Sequence, residues 1–181
     1  MVLQAMAHVS EFGGGAQPRA TIAVIGCGNL NRSDDGVGPE VVQALAARTV
    51  CSDSRVKLLD AGTDGMAVMF AARGCRTLII VDACRSGSAP GAVFEVPGAQ
   101  LEQRHQPSVT LHDFRWDHAL FAGRQMFGEA FPEDVTVLLV EIGTTALGIG
   151  LSPCVIDAAS RVADRIEALV RLRLYDTAAT Q

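Results

Sequence analysis

This sequence predicts an α/β fold: a single-domain three-layer sandwich, with a mainly parallel twisted sheet and helices on both faces. Three observations carry that prediction. Short apolar runs rich in β-branched residues, Thr21–Cys27, Val56–Asp60, Thr77–Asp82 and Val135–Ile142, read as strands buried on both faces. Segments of helical spacing separate these runs, the alternation that builds a sheet covered by helices. Several runs end in a glycine or an acid, at the carboxyl ends of strands where such sheets form their functional crevice.

Taken in order, Thr21–Cys27 (TIAVIGC) is a strand, followed by a Gly-rich acidic segment from Gly26 to Gly38. Val41, Val42, Leu45 and Ala46 then recur at helical spacing, with Pro39 acceptable in a first turn. Val56–Asp60 is the second strand. Gly62-Thr63 opens an apolar stretch, Met66 to Ala72, read as a helix closed by Gly74. Thr77–Asp82 (TLIIVD) is a strand ending in an acid, Ser86 to Gly91 a loop, and Ala92–Val96 a short strand stopped by Pro97. Leu101 to Thr110 reads as polar and irregular, and His112 to Met126 as a helix through Phe114, His118, Phe121 and Ala122. Val135–Ile142 is the fourth core strand and Gly143–Gly150 a Gly/Thr loop. Ser152-Pro153 caps a final helix whose face is Val155, Ala159, Val162, Ile166, Leu169 and Val170. The folded domain is expected over residues 21–175. Residues 1–20, with Gly13-Gly14-Gly15 and Pro18, read as a flexible leader, and 176–181 as a flexible tail.

Composition narrows the function. The 181 residues are 49% hydrophobic and 19% charged, which excludes intrinsic disorder. A net charge of −5 offers no basic footprint for nucleic acid or an anionic membrane. No window reaches the ~18 uninterrupted apolar residues of a membrane span, and the leader lacks the basic start of a signal peptide. A cytoplasmic protein is expected. Five scattered cysteines without a CxxC pair give no zinc or thioredoxin-like motif and fit a reducing compartment.

The strand ends carry the chemistry: Gly26–Asp35, Asp60–Thr63, Asp82–Arg85 and Glu141–Thr145. The first is a poor dinucleotide fingerprint, because Asn31 stands at the third glycine position. Asp34 and Asp35 would also repel a pyrophosphate at the helix start. No GK[ST] makes it a P-loop. One acid there is explained by the helix dipole, worth about 0.3–1 kcal/mol; a second acid at a neighbouring strand end, Asp82, is not. Of the histidines, His8 lies in the leader and His105 in a polar loop, while His112 and His118 straddle the start of a helix. Two carboxylates and an imidazole suit a borderline divalent metal such as nickel, zinc, manganese or iron. Ser33 and Ser86 lack a nucleophile-elbow context. Cys27 and Cys84 border the crevice without a mark of activation.

The segments Gly26-x-Gly28-Asn29-x-x-x-x-Asp34-Asp35-Gly36-x-Gly38 and Asp60-x-Gly62-Thr63-x-Gly65, with Leu78–Val81 followed by Asp82, resemble the hydrogenase maturation endopeptidases. These trim the C-terminal extension of the nickel-iron hydrogenase large subunit. The resemblance runs from about Thr21 through Pro153 into the last helix. It implies three metal-contacting positions, falling on Asp35, Asp82 and His112, with His118 as the substitute histidine. It also implies that Asp35 and Asp82 are catalytic and that Gly28, Asn29, Asp60 and Thr63 bind substrate. The nickel is then carried by the precursor and recognised by the enzyme, with no organic cofactor. The partner is the large-subunit precursor, and the enzyme works as a monomer. Two departures from the family pattern are the stretch Thr110–His118 around the histidine and an Asp at position 35 where a longer Glu is common.

Asp34 and Asp60 are expected as capping or supporting acids, either able to serve as a base. Arg85, Arg115 and the Gly143–Gly150 loop are candidates for gripping a peptide, and Trp116 with Phe114 for an apolar anchor. Two alternatives stay open: a non-catalytic factor that binds metal or precursor, and a nucleotide-binding α/β domain.

Overall fold

The structure, a computed structural model, describes residues 21–102 and 115–178. Five strands, β1 (Ile22–Cys27), β2 (Val56–Gly62), β3 (Thr77–Cys84), β4 (Val93–Pro97) and β5 (Asp134–Glu141), form one sheet in the order β2-β1-β3-β5-β4. Four run parallel, and β4 lies antiparallel to β5 at the edge. Helices α1 (Val37–Ala46), α2 (Gly65–Ala72), α3 (Gly98–Glu102), α4 (Trp116–Phe127) and α5 (Pro153–Ala178) complete the chain.

The absence of in/out polarity in the strands reflects two cores. Ile22 and Val24 of β1, Ile79 and Val81 of β3, and Leu138 and Val140 of β5 face α1 and α5. Ala23, Ile25 and Cys27, Leu78 and Ile80, and Val135 and Val137 face α2 and α4. Each of these three strands therefore alternates between two apolar layers, as a parallel sheet covered on both sides requires. Helices α1 and α2, the connections on either side of β2, pack on opposite faces. The chain thus leaves β1 toward β2 and returns to the other side of β1 as β3. Such a reversal opens a crevice at the carboxyl ends of the two strands it separates.

Boundaries moved where periodicity is a weak guide. Both β2 and β3 extend two residues past the expected ends, so Asp82 lies within β3, paired with Leu139, rather than ending it. A short helix, α3, begins where Pro97 stops β4, and its Leu101 packs against the α2/α4 core, so this part of Leu101–Thr110 is ordered. The expected helix from His112 begins at Trp116; His105, His112 and Phe114 lie outside the described residues. Helix α5 runs on to Ala178 with no glycine or proline to interrupt its last turns. Ser152 starts α5 through its backbone, its carbonyl accepting from Val155 and Ile156 N–H.

Candidate functional site

The glycines of the first motif fix the approach of α1 to the sheet. A Cβ on Gly26 would lie 2.3 Å from the Gly38 carbonyl oxygen, and one on Gly38 would lie 2.2 Å from that of Cys27. Gly28, at φ +133°, would meet the Asp35 carbonyl oxygen at 1.9 Å. The space that a dinucleotide loop leaves for phosphate is filled here by the chain's own backbone. The glycines instead fold the segment back so that the Ser33–Gly36 turn brings Asp34 and Asp35 beside the ends of β1 and β3.

Asp34 is fully buried. Its Oδ1 accepts from Ser152 N–H at 2.6 Å, and its Oδ2 from Gly143 N–H at 3.1 Å and Thr144 N–H at 3.2 Å. Burial pushes its pKa up, but the backbone donors, Ser152 first, outweigh that and hold it below its ordinary value. Glu141, 3% exposed, does the same for the next loop. It accepts from Ser86 N–H, Gly87 N–H and Ser86 Oγ at 2.8–3.0 Å, which lowers its pKa to about 2.

The two remaining acids face open space. Asp35 and Asp82 line one cavity of about 210 Å³, with Cys27, Gly28, Thr63 and Trp116 among its walls. Asp35 is half-buried, and its Oδ2 accepts from Asn29 N–H at 3.1 Å. Asp82 is 4% exposed. Its Oδ1 accepts from Ala83 N–H at 2.8 Å, and its Oδ2 from Trp116 Nε1 at 2.6 Å and Arg115 Nη2 at 3.2 Å. Burial raises its pKa, and the Trp116 and Arg115 contacts do not cancel that rise. An adjoining hollow of about 320 Å³ is lined by Asn29, Asn31, Pro39, Asp60 and, again, Gly28 and Thr63. Asp60 there is exposed, its Oδ1 accepting from Gly62 N–H at 2.9 Å in a local turn. Burial first, then the Asp82 charge, drives the Cys27 thiol far up, the opposite of the shift that activates a thiolate. Burial and the Glu141 carboxylate push Cys84 to about 12.

A family model described as HycI, hydrogenase maturation protease, matches residues 39–169. The chain belongs to the hydrogenase maturation protease family. Over 135 residues it is 31% identical to the hydrogenase 2 maturation protease of Escherichia coli, covering 74% of this chain and 80% of that one. It is 35% identical over 105 residues to the coenzyme F420 hydrogenase subunit delta of Methanothermobacter thermautotrophicus, covering 52% of this chain and 66% of that one. In structure it is similar to the hydrogenase maturating endopeptidase HybD from E. coli, with a TM-score of 0.72 and 29% identity over 84% of this chain and 93% of that one.

As a maturation protease the chain is a peptidase, and its cleft lies at the β1/β3 reversal. Six of the seven residues singled out in the sequence, Asp35, Asp82, Gly28, Asn29, Asp60 and Thr63, surround the two joined hollows. The seventh, His112, lies outside the described residues. His118 sits in α4 with its Nδ1 3.6 Å from Asp117 and is not among the described residues lining the cleft. One expectation is corrected: Trp116 is no exposed anchor but a buried donor to Asp82. Arg115 puts one guanidinium nitrogen on that carboxylate while its side chain stays 66% exposed in the cleft wall. Asp34 and Glu141 carry loop-bracing roles that only their backbone partners reveal.

Proposed function

We propose that this maturation protease removes the C-terminal extension of a nickel-iron hydrogenase large-subunit precursor once nickel is in place. The observation that carries this reading is the convergence of Asp35 and Asp82, two oxygen donors from separate elements, on one small cleft of a chain in this family. Nickel belongs to the substrate. Asp35 and Asp82 supply carboxylate ligands for it, His112 supplies an imidazole, and the precursor supplies the rest. A divalent cation held there places positive charge at a peptide carbonyl or a water.

Substrate contacts extend beyond the cleft. Leu147 and Ile149 are 84% and 87% exposed on the 143–150 loop, which is pinned by Asp34 and bonded to the first motif through Ser33 N–H to Gly148 O at 2.8 Å. They offer a rigid apolar rim to a protein substrate. The enzyme works as a monomer in the cytoplasm. Its five cysteines are unpaired, as a reducing compartment allows, and among the described residues no helix is long and apolar enough to cross a membrane.

Intact-mass analysis of a cognate precursor, with and without nickel, tests the reading. Loss of one C-terminal peptide from the loaded form alone is expected. An uncut but tightly bound precursor overturns the peptidase step in favour of a binding factor.

A further inference from the structure

The two donors on Asp82 Oδ2 differ in kind. Trp116 is 8% exposed, opens α4 and is neutral; its indole N–H fixes the carboxylate at 2.6 Å without balancing its charge. Arg115, one residue earlier, supplies the charge. Its side chain is 66% exposed while that of Asp82 is 6% exposed, and a single nitrogen makes the contact at 3.2 Å. A single-point pair with most of the guanidinium in water lacks the two parallel bonds that make arginine–carboxylate pairs strong. Arg115 also stands in the wall of the same cavity as Asp35 and Asp82, where a cation taken up by these acids would sit.

We propose that Arg115 is the built-in counter-cation of this cleft, withholding Asp82 from free divalent ions and yielding it to nickel fixed in a precursor. This rests on the metal-docking role of Asp82 given above. A free ion must displace the guanidinium or share the cleft with its positive charge, a penalty that is larger where walls exclude water. Nickel already fixed in a docked precursor arrives at high effective concentration, because the rest of the interface holds it in place. It therefore displaces Arg115 where the dilute ion does not. The side chain is anchored at the start of α4 and otherwise exposed, so it has room to swing into solvent. Trp116 keeps the carboxylate aimed during the exchange. Arg115 is thus a positioning residue that selects how the metal is delivered.

The chain holds one tryptophan, and it is the one bonded to Asp82. Its fluorescence reports a paramagnetic ion at that carboxylate without any turnover. Free Ni²⁺ is titrated into the full chain and its Arg115→Gln, Arg115→Lys and Arg115→Gln/Asp82→Asn variants, with circular dichroism as the check on folding. Arg115→Gln is expected to bind at least roughly tenfold tighter than wild type, as removal of an adjacent like charge implies. Arg115→Lys should return close to wild type, and the double variant should lose the gain. Equal titrations of wild type and Arg115→Gln, whether both bind or neither does, overturn the proposal. The parent reading fails separately, if Asp82→Asn still processes nickel-loaded precursor at the wild-type rate.

Discussion

Asp34 and Asp35 are adjacent in the chain and carry the same side chain, yet they do opposite work. Asp34 points inward and is saturated by three backbone N–H groups from Gly143, Thr144 and Ser152. Asp35 points into the cleft with one N–H, that of Asn29, on its carboxylate. The same split recurs across the sheet, where Glu141 is saturated by the Ser86–Gly87 loop while Asp82 is buried with its charge balanced by one loose guanidinium. Each carboxylate facing the cleft therefore has a braced neighbour that holds the loops around it. A carboxylate turned inward onto backbone donors is committed to the loops it braces; one that lines the cleft sits where a ligand can reach it.

The sharpest way to break this comparison is one substitution made at two adjacent positions. Asp34→Ala leaves three backbone donors without an acceptor, and we expect a loss of about 3–5 kcal/mol in urea unfolding. Asp35→Ala should change stability by less than about 1 kcal/mol but lower precursor processing by roughly 100-fold or more, the effect of losing a positioning contact at the reacting centre. If both variants unfold alike, or both process alike, the division of labour is wrong.

A smaller effect tests what the Asp34 bracing is for. Leu147→Ser with Ile149→Ser removes apolar surface that is already in water, so the melting temperature should stay put. The apparent KM for precursor should rise by about tenfold with kcat retained. An unchanged KM would remove the rim from the substrate interface.

The smallest effect separates the two classes by pH. Glu141 has a lowered folded pKa, about 2 against an ordinary 4.5, so its stabilisation is complete above 4.5 and drains away as pH falls toward 2. Asp82 has a raised folded pKa, so its contribution is complete below the unfolded value of 3.8 and is lost as pH rises through the folded one. Relative to Glu141→Gln, wild type should lose stability between pH 4.5 and 2. Relative to Asp82→Asn it should gain as pH falls toward 3.8. Slopes of the same sign in the two comparisons would contradict the assignment.

Much of this was legible in the sequence. The runs at β1, β3 and β5 gave themselves away because both faces of each strand are buried, leaving no polar positions to blur them. The glycines at 26, 28 and 38 stood out because backbone packs against backbone there, a demand that only one residue type meets. Asp35 and Asp82 were found through their positions near strand ends. The split between Asp34 and Asp35 came from the family resemblance, which left Asp34 a supporting acid; the partners it supports were not legible, because they lie in loops more than a hundred residues away. Trp116 was misread for a similar reason: its indole partner lies 34 positions back, on a strand that local periodicity cannot connect to it. The antiparallel course of β4 is also set by pairing with a distant strand rather than by its own residues.

The two ends of the described chain share one pole of the molecule. Ile22 enters the sheet level with Thr77, which pairs with Asp134, and Asp134 is held by Arg173 in the last turns of α5. The cleft opens at the other pole, past Cys27 and Asp82. An affinity handle or surface tether joined at either end of this folded unit therefore attaches on the side away from the cleft. Enzyme fixed to a resin in this way presents its cleft outward, open to a protein substrate.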